Sequence, residues 1–408
     1  MEETVVALDV GTSKVCTLIA EVDEGGELRI VGVGLATSRG LRKGIVVDVD
    51  EGTEAISGAL ARAEEISGYE IQRAYVSVAG SHISSVNSRG VAAISRGSQG
   101  VTWDDMDRAM DAAQAITVPQ NREILHSIPR GYTIDGQDGI RNPLGLQGYR
   151  LEVEAHVVTG GVAPLQNVVK CVRSAGAEAV DLVLGPLAAG EAVLTPAEKE
   201  MGVILVDIGG GTTDVAVFIE GNVWHSVVLA VGGDHITHDL AVGLRTPFPV
   251  AEQIKRRYGH TLTDEIPPEA RIDVAAFGEA NRRPYPHRRL AQIIEARVEE
   301  IFDLVVKEVK RSGYDGLLPA GIVLTGGSAE LEGAREFASR ALDLPARIGT
   351  PGKVDGLVET IQGPAYAASA GLLLWGQRRA REREALRGRP RSVLPRPIRG
   401  WLRPLLPG

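Results

Sequence analysis

Two apolar runs, each stopping at an aspartate and followed by glycine and hydroxyl residues, set the pattern of this chain. One is Val203 to Phe218, VILVDIGGGTTDVAVF, in which the apolar stretch ends at Asp207 and resumes at Val215. The pattern predicts a buried strand, a tight turn and a second strand returning beside the first. The other is Val5 to Val22, VVALDVGTSKVCTLIAEV, where Asp9 falls as Asp207 does. Matching residue types puts Gly11-Thr12-Ser13 in the place of Gly211-Thr212-Thr213, so the later copy reads as having two extra glycines. A repeat this far apart indicates a duplicated domain, since solenoid periods are short.

The same reading places further elements along the chain. Residues 28–36 and 74–79 read as strands, and Ile56, Leu60, Ala63 and Ile66 have helical spacing. Between about Ser81 and Val158 the texture changes to two strand-like stretches, a helix near Trp103–Ile116 and loops rich in Pro, Gly and Asp. That segment predicts an inserted subdomain, with His126 and His156 solitary and structural. Leu165–Ser174 reads as a helix and Ala179–Leu184 as a strand. Small-residue helices are expected at Gly185–Glu191 and Gly363–Trp375, both suited to close packing between domains. A strand ending in Gly232-Gly233 precedes a helix around Ala251–Lys255, on which Glu252 and Lys255 share a face. A basic cluster, Arg282, Arg283, His287, Arg288 and Arg289, leads into an amphipathic helix, Ala291–Ser312. A strand then ends at Gly326-Gly327-Ser328, with a helix expected from about Glu330.

The chemistry that fits these turns is phosphate binding. Successive glycines allow close backbone approach, and exposed turn amides form an anion-binding concavity. Asp9 and Asp207, at strand ends, suit Mg²⁺ held through water. Gly11, Thr12, Ser13 and Lys14 on one side, with Gly209, Gly210, Gly211, Thr212 and Thr213 on the other, could grip a nucleoside triphosphate. Gly326, Gly327 and Ser328 would then receive the nucleoside on bare backbone.

Length and charge sharpen the picture only at the C-terminal end. The 408 residues allow two or three domains. The net charge of −9 divides into +8 from Gly376 onward, where ten Arg meet two Glu, and −17 before it. That asymmetry predicts a basic tail with an anionic partner. Cys16 and Cys171 lack metal spacing and read as buried thiols of a reducing compartment. The acidic start, MEET, shows no secretory signal, and no run of 18 apolar residues exists.

The paired hairpins resemble the actin, Hsp70 and sugar-kinase superfamily. VDIGGGTTDVAVF, AEQIKRRYG, AGIVLTGGSAELEG and the insertion after VSVAGSHI resemble, more narrowly, the FtsA family, actin-like bacterial proteins that tie FtsZ filaments to the membrane in cell division. The resemblance covers nearly the whole chain to about Gly376. It implies an α/β, actin-like (ribonuclease H-like) duplicated two-domain fold with a nucleotide cleft and an inserted α+β subdomain. Residues 1–80 and 161–198 would form the first domain, 81–160 the insertion, 199–232 and 306–376 the second domain, and 233–305 an outer subdomain. An Arg/Pro-rich linker, 377–397, and a membrane-targeting tail, 398–408, would follow.

The resemblance also implies ATP and Mg as cofactors, with Glu252 and Lys255 against the ribose and base. Expected partners are the FtsZ C-terminal peptide near Arg288 and Arg297, further copies of the chain in a homopolymer, other division proteins on the insertion, and an anionic membrane. Nucleic acid is not an expected partner, the tail having only Trp401 to stack on bases. Ile398, Arg399, Trp401, Leu402, Arg403, Leu405 and Leu406 interleave apolar and basic character suited to a headgroup boundary at the cytoplasmic face of the membrane. Pro404 and Gly400 depart from the helical tail usual in the family. In strong ATPases of the superfamily an acidic residue often precedes the proline of the small-residue helix; here it is Gly185, which implies weak turnover and no catalytic residue. A PilM-type pilus assembly protein and a sugar or acetate kinase are the alternatives.

Overall fold

The computed structural model describes residues 3–23, 25–95, 100–116, 118–274, 283–352, 354–356 and 361–386. Two five-stranded sheets repeat one topology. In the first, the order is Glu178–Leu184, Arg73–Val78, Glu3–Val10, Lys14–Val22, Leu28–Thr37. In the second it is Ala346–Ile348, Ile322–Thr325, Val203–Ile208, Thr213–Ile219, Asn222–Leu229. Each has an antiparallel hairpin beginning with the aspartate-ended strand, and a parallel strand on that strand's other side. Strands in the middle of such sheets are covered on both faces, so their near-continuous apolar runs are what the fold demands.

The two small-residue helices lie between the sheets. Gly185–Val193 packs on the start of Ala367–Leu386 so closely that a Cβ at Gly371 would collide with the Ala188 carbonyl. One apolar core runs through this seam, joining Leu18 and Val183 of the first sheet to Leu205 and Phe218 of the second by way of Leu187 and Leu373. The final helix continues through residues 377–386, the Arg-rich start of the expected linker. The outer faces have their own cores, under Val49–Ser67 in the first half and under His287–Ser312 in the second. Val49–Ser67 starts seven residues before its apolar spacing, where the Asp48 side chain accepts from the Asp50 and Glu51 amides.

The insertion is a four-stranded antiparallel sheet, ordered Ser84–Ala93, Arg150–Gly161, Arg122–Ile134, Gln137–Ile140. Helix Trp103–Gln114 covers one face, opened by a capping box between Thr102 and Asp105. The insertion also reaches the second half of the chain. Ser85 Oγ donates to the Ser226 carbonyl (2.7 Å) and Asn87 Nδ2 to the Trp224 carbonyl (3.1 Å), both on the edge strand Asn222–Leu229. Arg130 stacks its guanidinium on the Trp224 ring at 3.9 Å. No described helix is long and apolar enough to cross a membrane. The tail residues Ile398 to Leu406 lie outside the described residues, as does Arg282.

His126 and His156 sit at the insertion's two seams. His126 Nε2 accepts from the Leu184 amide at 3.0 Å and meets Trp375 edge-on, its ring centroid 5.4 Å away. His156 bonds Asn87 at 2.7 Å and the Ser226 hydroxyl at 2.9 Å. Burial disfavours the charged imidazole and pushes each pKa down to about 3. The unfolded chain, with ordinary histidines, therefore takes up protons first as pH falls. Their contribution to stability is complete above about pH 6.5 and is lost progressively toward pH 3, on the order of 2 kcal/mol each by pH 5. Urea unfolding at pH 7 and pH 5 checks this, with His126→Gln expected to flatten the pH dependence relative to wild type.

Candidate functional site

The two hairpin turns are equal in length. The Gly11 amide donates to the Lys14 carbonyl at 3.0 Å and the Gly209 amide to the Thr212 carbonyl at 2.9 Å. Strand registers pair Val10 with Val15 and Ile208 with Thr213. Gly11 thus matches Gly209, and Thr12, Ser13 and Lys14 match Gly210, Gly211 and Thr212. This corrects the alignment by residue type: the later copy has no extra glycines, but glycines where the earlier copy has side chains. Their bareness lets the turns touch. A Cβ at Gly211 would lie 2.5 Å from Thr12 Oγ1, and one at Gly210 would lie 3.1 Å from Ser13 Cβ.

The turns border a cleft of about 630 Å³. Asp9, Asp207, Gly11 to Lys14, Gly209 to Thr212, Glu252, Lys255 and Gly326 to Ser328 all line it. Thr213 does not. It is fully buried, and its hydroxyl donates to the Val231 carbonyl at 2.8 Å, so it braces the turn from behind. Glu252 and Lys255, on helix Phe248–Tyr258, pair at 2.7 Å, and Lys255 Nζ also donates to Thr237 Oγ1 (2.9 Å) and the Gly233 carbonyl (3.1 Å). After Gly326, with φ +83°, comes a 3-10 turn, Gly327–Glu330; the helix begins only at Ala334, later than expected, because Gly333 takes φ +80°.

The floor of the cleft is acidic. Asp9 accepts from Ser77 Oγ (2.6 Å) and Ser369 Oγ (2.8 Å), which fix both its oxygens. Burial, then the Asp9 charge, pushes Asp207 up to about 7 against the opposing pull of Lys14. Asp214, opposite Asp207 in the hairpin register, is buried and pushed well above the usual carboxylate range by burial and then by Asp207. Its Oδ1 has no partner. Carboxylates that crowd one another favour a cation between them. Among the described residues no group of three His, Cys, Asp or Glu stands ready to coordinate a metal directly. Carboxylates at two strand ends, Asp9 and Asp207, are the hard oxygen donors that suit a divalent ion keeping much of its own water. Gly185 also lines the cleft, and a Cβ there would lie 3.0 Å from Asp214 Oδ2. Asp214, Ser77, Ser369 and Tyr366 belong to this site although the motifs did not single them out. Asp214 alone had a local signal, as the cross-strand neighbour of Asp207 in a tight hairpin.

Arg288 and Arg297 do not form one patch. Nine residues apart on His287–Ser312, they project about half a turn from each other. Arg288 Nε donates to the Ile266 carbonyl at 2.6 Å, while Arg297 grips both oxygens of Asp239 at 2.6 and 3.0 Å. An acidic peptide would have to displace Asp239 to reach the Arg297 fork.

The comparisons agree with this geometry. The model described as cell division protein FtsA matches residues 204–371, and that of the SHS2 domain inserted in FtsA matches 80–159. Cell division protein FtsA of Pseudomonas aeruginosa is 45% identical over 372 residues, 91% of this chain and 89% of that protein. FtsA of Escherichia coli K12 is 37% identical over 380 residues, 91% and 90% of the two chains. Among solved structures, the PilM–PilN type IV pilus biogenesis complex matches with TM-score 0.67 at 18% identity, covering 91% of this chain and 98% of the other. MreB5 of Spiroplasma citri bound to AMPPNP matches with TM-score 0.58 at 15% identity, covering 94% and 98%. The fold is thus actin-like, duplicated around a central cleft, with an inserted α+β subdomain.

Gly326 keeps the acidic floor in place, since a Cβ on it would collide with Asp207 Oδ1. Gly326→Ala is expected to cost about 1–3 kcal/mol from strain and overpacking, read by urea unfolding, and to displace Asp207 in a crystal structure of the variant.

Proposed function

The chain belongs to the FtsA family of cell-division proteins, and from that premise we propose that it is an ATP-binding assembly protein tethering FtsZ filaments to the cytoplasmic membrane. The observation that carries the nucleotide part is the contact of two equal Asp-led turns across one cleft. Asp9 and Asp207 would hold Mg²⁺ through water, the ion supplying charge neutralisation for the β- and γ-phosphates. Amides of Thr12 to Lys14 and Gly210 to Thr212 would bind those phosphates, with the Lys14 ammonium beside them. Glu252 and Lys255 would face the ribose, and Gly326 to Ser328 the base.

Gly185 leaves no acid of its own to orient a water, which supports weak turnover at most. ATP would then act by holding the halves together and favouring contacts between copies in a polymer. The FtsZ tail would dock on the outer subdomain, within residues 233–305, and later division proteins on the insertion. The Arg-rich C-terminal segment would attach the protein peripherally at the division site. Many weak anchors joined in one polymer bind a surface as a unit.

Two measurements test this reading. Asp207→Ala should weaken Mg-ATP at least about tenfold, since it removes a charge-assisted contact, in a titration with a fluorescent ATP analogue; unchanged affinity would sink the assignment. In liposome co-sedimentation with ATP and purified FtsZ, the full chain should carry FtsZ into the pellet, and a chain lacking residues 392–408 should not. A pull-down preferring a pilus-protein peptide over the FtsZ tail would favour the PilM-like alternative.

A further inference from the structure

The final helix reaches the nucleotide cleft by a route that no phosphate motif predicts. Its leader, the 3-10 turn Pro364–Tyr366, is tied to the second half of the chain: the Pro364 carbonyl accepts from Thr325 Oγ1 (2.9 Å) and from the Gly326 amide (3.1 Å). Across the cleft, Lys14 Nζ donates to the Ala365 carbonyl at 2.6 Å and lies 4.0 Å above the centre of the Tyr366 ring. One turn later, Ser369 donates to Asp9. The two first-half residues proposed to meet the phosphate and the metal are thus bonded to the beginning of this one helix.

From there the helix is fastened along the first half. Gly376 lies against Val5 and Tyr75, where a Cβ would come within 2.6 Å of Val5 Cγ1. Trp375 Nε1 donates to Asp181 (3.3 Å), Gln377 to the Gly26 carbonyl (2.6 Å), and Arg378 pairs with Glu191 (2.9 Å). An element packed so closely moves as a body rather than bending. It runs about 30 Å from Ala367 to Leu386, at the usual rise per residue.

We infer that Lys14, Tyr366 and Ser369 form a coupling joint through which an occupied cleft fixes the leading end of the last helix. The inference rests on the nucleotide reading above. An ammonium has three donors, and Ala365 takes one. The others remain for a phosphate, so a bound triphosphate would tighten the bridge between the first turn and the helix leader without breaking it. Mg²⁺ on Asp9 would polarise the same carboxylate that Ser369 holds. Occupancy would then be felt at the root of the helix that precedes the C-terminal segment.

Hydrogen exchange on the full chain, with and without Mg-AMPPNP, tests the joint, with saturation in each sample established by titration. In wild type the ligand should slow amides of 363–372 and of 209–213 by about threefold or more. In Lys14→Met, and independently in Ser369→Ala, the slowing at 363–372 should be largely lost at saturation while that at 209–213 persists. Wild-type slowing at 363–372 in both saturated variants overturns the joint, as does protection of 209–213 alone in wild type. If the titration shows no binding to wild type, the nucleotide reading itself falls and the joint with it.

Discussion

The burial of carboxylates where the two hairpins meet is the constraint around which this molecule is arranged. Asp9, Asp207 and Asp214 converge there, and burial, more than their mutual charge, pushes Asp207 and Asp214 toward the protonated form. The chain offers partial compensation, through the Ser77 and Ser369 hydroxyls on Asp9 and the Lys14 ammonium nearby. Asp214 Oδ1 is left without a hydrogen-bond partner among the described residues. The remaining architecture holds the two sides of the site together. Bare glycines bring the turns into contact, and small residues in Gly185–Val193 and Ala367–Leu386 let two helices occupy the seam between the sheets.

Much of this was legible because buried strands and glycine turns leave local signatures. The Asp-led runs, the small-residue helices and the amphipathic His287–Ser312 all follow from spacing. The turn alignment failed for a physical reason. Matching Gly-Thr-Ser to Gly-Thr-Thr compares residue types, whereas backbone geometry counts from the strand end, where Gly11 and Gly209 close the same hydrogen bond. Thr213 misled in the same way, since its position in the returning strand turns the hydroxyl inward to Val231. The roles of Ser77 and Ser369 have no local signal at all. They depend on strands and helices assembled from 68 and 360 residues away.

Arg288 and Arg297 illustrate the limit of charge clustering in sequence. Helical geometry puts them on opposite sides, and each is engaged by its own fold, by a carbonyl in one case and a carboxylate in the other. A paired Arg still contributes field, but Arg297 has given to Asp239 the fork that makes guanidinium selective for carboxylates.

The insertion's grip on Asn222–Leu229 bears on how copies of this chain can meet. An open sheet margin invites a neighbour's strand to hydrogen-bond alongside it and extend the sheet from molecule to molecule. Here Ser85 and Asn87 already occupy the outward acceptors of Ser226 and Trp224. Those two carbonyls are thereby closed to a neighbour's strand along this margin, by side chains of the same molecule.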